Sequence, residues 1–193
     1  MPRLGRLAIL LGIVFCSAAA ADAADSTWTS DPTHSRVALV TSYVFVSKLH
    51  MTLPIESGTI VTDGNAWTRP VRVELHFESA ALTTGNAKRD AELSSDKFFD
   101  TARYPAITFV SREITERKPG EFVIKGDLSM HGVTRELDLQ GRASDEQRES
   151  GGRRHVRYEA TGSFRRTAYG MTYAKGLVGD NINLDVTIDA LSA

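Results

Sequence analysis

The chain has 193 residues, with 23 Lys and Arg against 24 Asp and Glu, a formal charge of −1 and one cysteine. A near-neutral balance excludes a protein whose main partner is a nucleic acid, which would show a basic excess. A lone cysteine excludes an internal disulfide framework.

The N-terminus reads as a secretory signal. Arg3 and Arg6 precede a short apolar core, Leu7–Phe15, and an alanine-rich run from Ala18 to Ala24. That core is too short to span a bilayer. Cleavage is expected between Ala20 and Ala24, giving a signal peptide over 1–24 and one domain over 25–193 in the periplasm. Cleavage after Ala24 removes Cys16 and shifts the formal charge to −2, because Arg3, Arg6 and Asp22 leave together. Bulky Phe15 before Cys16 argues against a lipidated cysteine.

Period-two alternation then dominates. Val37, Leu39, Thr41, Tyr43 and Phe45 share one face of a first long strand, and Ser57–Thr62 is a short second one. Val71, Val73, Leu75 and Phe77 alternate with Arg72, Glu74, His76 and Glu78. Ile107 and Phe109 repeat the pattern, as do Phe122, Ile124, Gly126, Leu128 and Met130, then Leu137 and Leu139. Val156, Tyr158, Ala160, Gly162 and Phe164 form another row. Ile182, Leu184, Val186 and Ile188 form the last. Turn signals separate these runs at Asp63-Gly64-Asn65, Pro119-Gly120, His131-Gly132, Ser150-Gly151-Gly152 and Gly179-Asp180-Asn181. The result is all-β, with about eight one-faced strands in meander order, which close as a barrel or stack as a two-sheet sandwich.

Thr83–Asp100 breaks the alternation. Asn86–Leu93 predicts two helical turns and Asp96–Asp100 another turn, a short helical connection over about 84–100 that covers a barrel end or edge. Phe98-Phe99-Asp100 and Tyr104-Pro105 are expected to plug that end and turn the chain into the next strand.

Enzyme signatures are sparse. There is no G-x-S-x-G elbow, P-loop or H-E-x-x-H. The five histidines, at 34, 50, 76, 131 and 155, lack metal-ligand spacing, and no metal or catalytic residue is assigned. Arg89 and Asp90 are neighbours on a helix, so they do not face each other. With His34 they are read as a structural network at the rim, tying the helical connection to the barrel. Arg153, His155 and Arg157 make a basic row that is a solvated face or, less simply, an attraction for an anionic head group.

An eight-stranded barrel either fills its interior or holds one slender ligand. Gly126, Gly162 and Ala160 occupy apolar-face positions where large side chains would fill the core. They leave a channel, or they are bends that curvature requires. A channel lined by Val37, Leu39, Tyr43, Phe45, Val73, Leu75, Phe77, Ile107, Phe109, Ile124, Gly126, Leu128, Leu137, Leu139, Tyr158, Ala160, Gly162, Phe164, Leu184 and Val186 suits a linear hydrocarbon. Each five-carbon isoprene unit would contribute on the order of 3 kcal/mol gross.

Several longer motifs occur in order: Asp31-Pro32-Thr33-His34-Ser35, Thr84-Gly85-Asn86, Arg89-Asp90, Phe98-Phe99-Asp100, Tyr104–Phe109 and Gly126–Thr134. Together they resemble the YceI-like family of secreted, lipocalin-like barrels that bind polyisoprenoid lipids. The resemblance runs from about Thr27 to Ala190. It implies an eight-stranded antiparallel lipocalin-like barrel and a periplasmic carrier for an isoprenoid quinone such as ubiquinone or a polyprenyl phosphate. It also implies no cofactor beyond that lipid, transient membrane contact, and a homodimer as in many relatives. Alternatives are a filled, ligand-free barrel that acts by interaction or stress protection, and a rim-site enzyme using His34, Arg89 and Asp90. The chain departs from the family pattern at Tyr43–Leu53, at Glu92, and at Arg166-Thr167-Ala168-Tyr169-Gly170, which lacks the acid of the family's C-terminal motif. These departures predict a kept barrel with an altered mouth, in which Tyr43 and Phe45 could occlude the channel.

Overall fold

Rows of inward apolar side chains facing outward charge require a sheet that covers its own apolar face. The chain achieves this by closing on itself. The structure is a computed structural model that describes residues 25–44, 47–64, 66–148 and 152–192. Its strands are β1 (Ser26–Ser30), β2 (Arg36–Tyr43), β3 (Ser47–Pro54), β4 (Ser57–Thr62), β5 (Pro70–Glu78), β6 (Ala106–Lys118), β7 (Glu121–Met130), β8 (Val133–Ala143), β9 (Gln147–Arg148), β10 (Arg154–Arg165) and β11 (Asn181–Ser192). The helix α1 spans Ala87–Ser94.

β1 and β2 are one broken strand, as are β3 and β4, so the wall is a closed eight-stranded antiparallel barrel in meander order. The alternative of a two-sheet sandwich is therefore not adopted. β11 closes the barrel. It pairs with β10 along its length on one side, from Asn181↔Arg165 to Leu191↔His155. On the other it pairs first with β2 (Asn183↔Val40) and then with β1 (Ser192↔Trp28).

The break between β1 and β2 has a local cause. Pro32 cannot donate to a ladder, and the chain turns with the Ser35 N–H on the Asp31 carbonyl at 2.9 Å. The buried Ser35 hydroxyl then accepts the Asp189 N–H at 3.0 Å and supplies the missing rung to β11. The hairpin from β7 to β8 turns through His131 and Gly132, both at positive φ (51° and 72°), the geometry that two-residue hairpins favour.

The first strand is shorter than its sequence pattern. β2 ends at Tyr43, because Val44 takes φ 48° and starts the turn. Phe45 lies outside the described residues, as does the whole proposed signal, residues 1–24.

The expected channel above the small residues is not what the glycines provide. A Cβ on Gly126 would lie 2.5 Å from Phe109 Cζ and 2.6 Å from the Val110 carbonyl oxygen. The Phe122 ring lies over Gly141, and Leu139 over Gly162, in the same way. Each glycine is a seat for a neighbour's side chain, so the rings fill the space that the sequence suggested was open. Gly126→Ala should therefore destabilise the barrel by about 1–3 kcal/mol through overpacking. Urea unfolding measures this, and an unchanged midpoint would contradict the packing described.

Candidate functional site

The site candidate is the barrel interior beneath the α1 end. α1 begins at Asn86, whose side chain accepts the Arg89 N–H at 3.1 Å. Asp90, in its first turn, accepts the Thr84 N–H at 2.7 Å and the hydroxyls of Thr83 and Thr84 at 2.7 and 2.6 Å. These bonds, the Thr84 hydroxyl foremost, hold the Asp90 carboxyl below the usual carboxylate range. Thr83 in turn exchanges both backbone bonds with Thr52 in β3, at 2.8 and 2.9 Å.

Asp90 is thus spent on fixing the helix to the wall. Among the described residues the Arg89 side chain bonds only Thr84, with Nε 3.3 Å from its hydroxyl. His34 lies elsewhere, at the β1–β2 corner, with Nδ1 2.8 Å from the Asp31 carboxylate. His34, Arg89 and Asp90 therefore do not form one network. The corner His binds its own turn, and the two helical residues bind the Thr83-Thr84 pair.

Leu82, Leu93, Phe98 and Phe99 are buried under this cap. Tyr104 lies against Gly132, with its ring 4.8 Å from that of His131, so the cap also leans on the β7–β8 turn. Below Leu82 and Phe99 lies a void of about 60 Å³ lined by sixteen residues, all of them apolar. Twelve were expected there: Val37, Leu39, Leu75, Phe77, Ile107, Phe109, Leu128, Leu137, Leu139, Phe164, Leu184 and Val186. A second void of about 20 Å³ continues deeper, against Val73, Ile124, Tyr158 and Ala160. Leu75, Phe109, Leu139 and Val186 border both. The Tyr158 hydroxyl is turned away from this apolar space, donating to the Trp67 carbonyl at 2.8 Å, and burial raises its pKa.

Tyr43 is a correction. It was expected to face inward and narrow the channel, but it is exposed at the rim, at the tip of the β2–β3 hairpin. Gly126 and Gly162 contribute backbone beneath other side chains rather than open space. Four further residues line the larger void: Met130 from an apolar row and Phe99 from the expected plug, together with Leu53 and Leu82, which sequence reading missed. Leu53 alternates with Met51 in a segment read as rim. Leu82 and Phe99 come from the connection whose inward face has no strand period.

The wall of the site is incomplete. The β8–β10 ladder runs only from Ala143↔Tyr158 to Leu139↔Gly162. Beyond it Val133–Asp138 and Ser163–Arg165 have no cross-strand partner between β8 and β10. Leu137, Phe164 and Leu184 line the interior void and also the outer groove over this seam. Two side-chain bonds span the seam's upper end. His131 Nδ1 donates to the Tyr169 carbonyl at 2.8 Å, and Arg135 Nε donates to the Ala168 carbonyl at 3.4 Å.

The segment that closes the upper end is the 166–180 crossover, organised by a residue whose burial the sequence did not reveal. Arg166 is 3% exposed. Its guanidinium donates to the carbonyls of Met171, Tyr173, Val178 and Gly179 at 2.7–3.0 Å. Burial lowers its pKa, and Asp180 opposes that shift. Asp180 anchors the start of the crossover by accepting the Thr167 N–H at 3.0 Å and Arg165 Nε at 2.9 Å.

Two members of the basic row, His155 and Arg157 on β10, are likewise committed. Arg157 grips the buried Asp189 carboxylate with Nε and Nη2, at 2.8 and 3.1 Å, and His155 Nε2 lies 3.3 Å away. Burial alone would raise the Asp189 pKa, but these partners hold it below the ordinary value. Asp189 and Arg157 are direct cross-strand partners, a pairing visible only once the register is known. Among the described residues no three His, Cys, Asp or Glu side chains converge as a metal site.

A family model described as the YceI-like domain matches residues 28–190. A UPF0312 protein of Pseudomonas syringae pv. tomato (strain ATCC BAA-871 / DC3000) is 27% identical over 184 residues, 95% of each chain. Among solved structures, Burkholderia cenocepacia BcnA superposes with TM-score 0.70 at 15% identity, covering 85% of this chain and 99% of that one. A polyisoprenoid binding domain from Saccharophagus degradans, implicated in plant cell wall breakdown, gives TM-score 0.61 at 16% identity, with 87% and 99% covered.

Asp180 makes the crossover sensitive to acid. Burial pulls its pKa up, but the Thr167 bonds and Arg165 outweigh it and hold the value down to about 2. The folded value is below the unfolded one, so the stabilisation is complete above pH ~4 and is lost as pH falls through about 2. For a carboxylate one-third exposed, solvent screening leaves about 1 kcal/mol. Urea unfolding between those pH values should show Asp180→Ala losing about that much of the acid dependence. Parallel curves for the two proteins would contradict the assignment.

Proposed function

This chain belongs to the YceI-like family, and we propose that it binds a linear polyisoprenoid lipid, an isoprenoid quinone or a polyprenyl phosphate, in the barrel interior. We further propose export to the periplasm, where it would carry that lipid through water. The observation that carries the reading is the pair of adjoining voids on an interior with no charged side chain lining the larger one. An apolar space of that kind selects for hydrocarbon and needs no polar contact to hold it. The Saccharophagus degradans domain, whose name states polyisoprenoid binding, supports the choice of ligand class.

The closed barrel is too small for the ligand as it stands. A cavity of about 150 Å³ takes one benzene ring, whereas the larger void is about 60 Å³. Uptake therefore requires side chains to withdraw, and the unladdered seam is where withdrawal breaks fewest backbone bonds. Leu137 and Phe164 can swing outward there without opening a β-ladder. The small void also favours a second reading, a filled barrel that acts only through its surface.

Extraction of the purified protein into organic solvent followed by mass spectrometry separates these readings. The carrier reading expects an isoprenoid at near-stoichiometric amount, or uptake of geranylgeraniol by the empty protein. Neither occurring would overturn it. For the route, Asp138→Cys with Ser163→Cys places two exposed positions next to the last paired rung. Their oxidation should slow geranylgeraniol uptake about tenfold or more, and reduction should restore it. Equal rates for the two forms, with the disulfide verified by mass, would exclude the seam.

A further inference from the structure

Five large hydrophobic side chains are exposed among the described residues: Tyr43, Val44, Val71, Tyr173 and Leu177. Four of them lie in two segments that are joined to each other. The Val44 N–H donates to the Leu177 carbonyl at 2.7 Å, and the Gly179 N–H donates to the Ser42 carbonyl at 2.8 Å. Tyr43 also bridges to Val178. The β2–β3 hairpin and the crossover thus form one apolar tip, with Tyr43, Val44 and Tyr173 each 42–44% exposed and Leu177 55% exposed. Single exposed hydrophobics are ordinary, but a cluster of four on touching loops marks an interaction surface.

Charge identifies the partner. Residues 41–55 and 167–179 contain no Asp or Glu, in a chain that has 24. They do carry Lys48 and Lys175, both exposed. Lys97 adds a third cation, its Nζ lying 5.1 Å from the centre of the Tyr173 ring. The adjoining cap carries four acids, Asp90, Glu92, Asp96 and Asp100, matched by Lys88, Arg89, Lys97 and Arg103. Tyrosines with an apolar ring and a wet hydroxyl, short aliphatic side chains and flanking lysines are the composition that settles at the interface of an anionic bilayer. Protein–protein interfaces are depleted in lysine, whereas three lysines flank this tip, which favours the bilayer over a protein partner. The tip also adjoins the candidate site. Tyr173 packs edge-on against Phe98 at 5.4 Å, and the next residue, Phe99, lines the interior void.

We infer that this tip, Tyr43, Val44, Tyr173 and Leu177 flanked by Lys48, Lys97 and Lys175, is a docking surface for an anionic lipid bilayer. It seats the cap end of the barrel on the membrane. The inference does not need the interior to bind anything, because docking is measured without isoprenoid.

The test is flotation of the mature protein with vesicles of phosphatidylcholine and phosphatidylglycerol, compared with phosphatidylcholine alone. Co-flotation is expected with the anionic vesicles and falls as salt rises. Lys175→Gln should weaken it about fivefold, the effect of one cation near an anionic surface. Leu177→Asp should abolish it. Both positions are exposed, so thermal unfolding should be unchanged and show that the variants remain folded. Failure to float, equal flotation of Leu177→Asp, or concentration-dependent dimerisation that Leu177→Asp removes would each overturn the assignment, the last by making the tip a contact between two copies. Geranylgeraniol uptake from ethanol by Leu177→Asp, if preserved, confirms that interior binding is separate from docking. If uptake is lost in the folded variant, the tip belongs to the interior site and the docking assignment falls.

Discussion

The structure depends on the hydrogen-bonding of β11 along both edges. β10 takes one edge, and β2 followed by β1 takes the other. That double pairing turns an open meander into a barrel and removes the exposed edges on which strands of other chains could add, except along the unladdered β8–β10 seam. It also fixes which residues face inward, since a slip of one residue would send Ile182, Leu184, Val186 and Ile188 to the solvent. The buried Asp189 carboxylate, gripped by a half-exposed Arg157, and the Ser35 hydroxyl both act on β11, at the place where its second partner changes from β2 to β1. Polar groups thus hold the register where the ladder is interrupted.

A sealed apolar barrel is a stable object and a poor carrier unless some part of it gives way. The rings of Phe109 and Phe122 over glycines show that the interior is packed where it is fully laddered. The larger departures from full packing lie toward the cap: the void beneath Leu82 and Phe99, the seam beside Leu137 and Phe164, and a crossover held by the carbonyl bonds of Arg166. A buried guanidinium satisfied by carbonyls gives that crossover a defined shape, and of its hydrophobic residues only Tyr169 and Met171 are buried in the core among the described residues. Stiff wall and adjustable end are thereby divided between strands and connections.

Much of this was legible in the amino-acid order, and the limits have physical causes. Inward rows such as Phe122, Ile124, Leu128 and Met130 are visible because a strand's period of two is a local property. So are the helical turns after Asn86 and the turn at His131-Gly132. Tyr43 was misread because the same alternation continues to the strand's last residue, where nothing remains to cover it. The glycines were misread because what occupies the space above Gly126 is Phe109, a neighbour known only from the β6–β7 register. Arg166 and Asp189 went unnoticed as buried charges for the same reason. Their partners are distant in the chain or are backbone carbonyls, which no side-chain pattern reports.

The central claim is that hydrocarbon enters the space between the inward faces. Methyl-resolved NMR tests it most directly, on protein labelled at Leu and Val methyls and mixed with geranylgeraniol. The account expects intermolecular contacts from Leu39, Leu137, Leu184 and Val186 to the isoprenoid chain. Contacts confined to the exposed methyls of Val44, Val71 and Leu177, with the interior resonances unmoved, would contradict it.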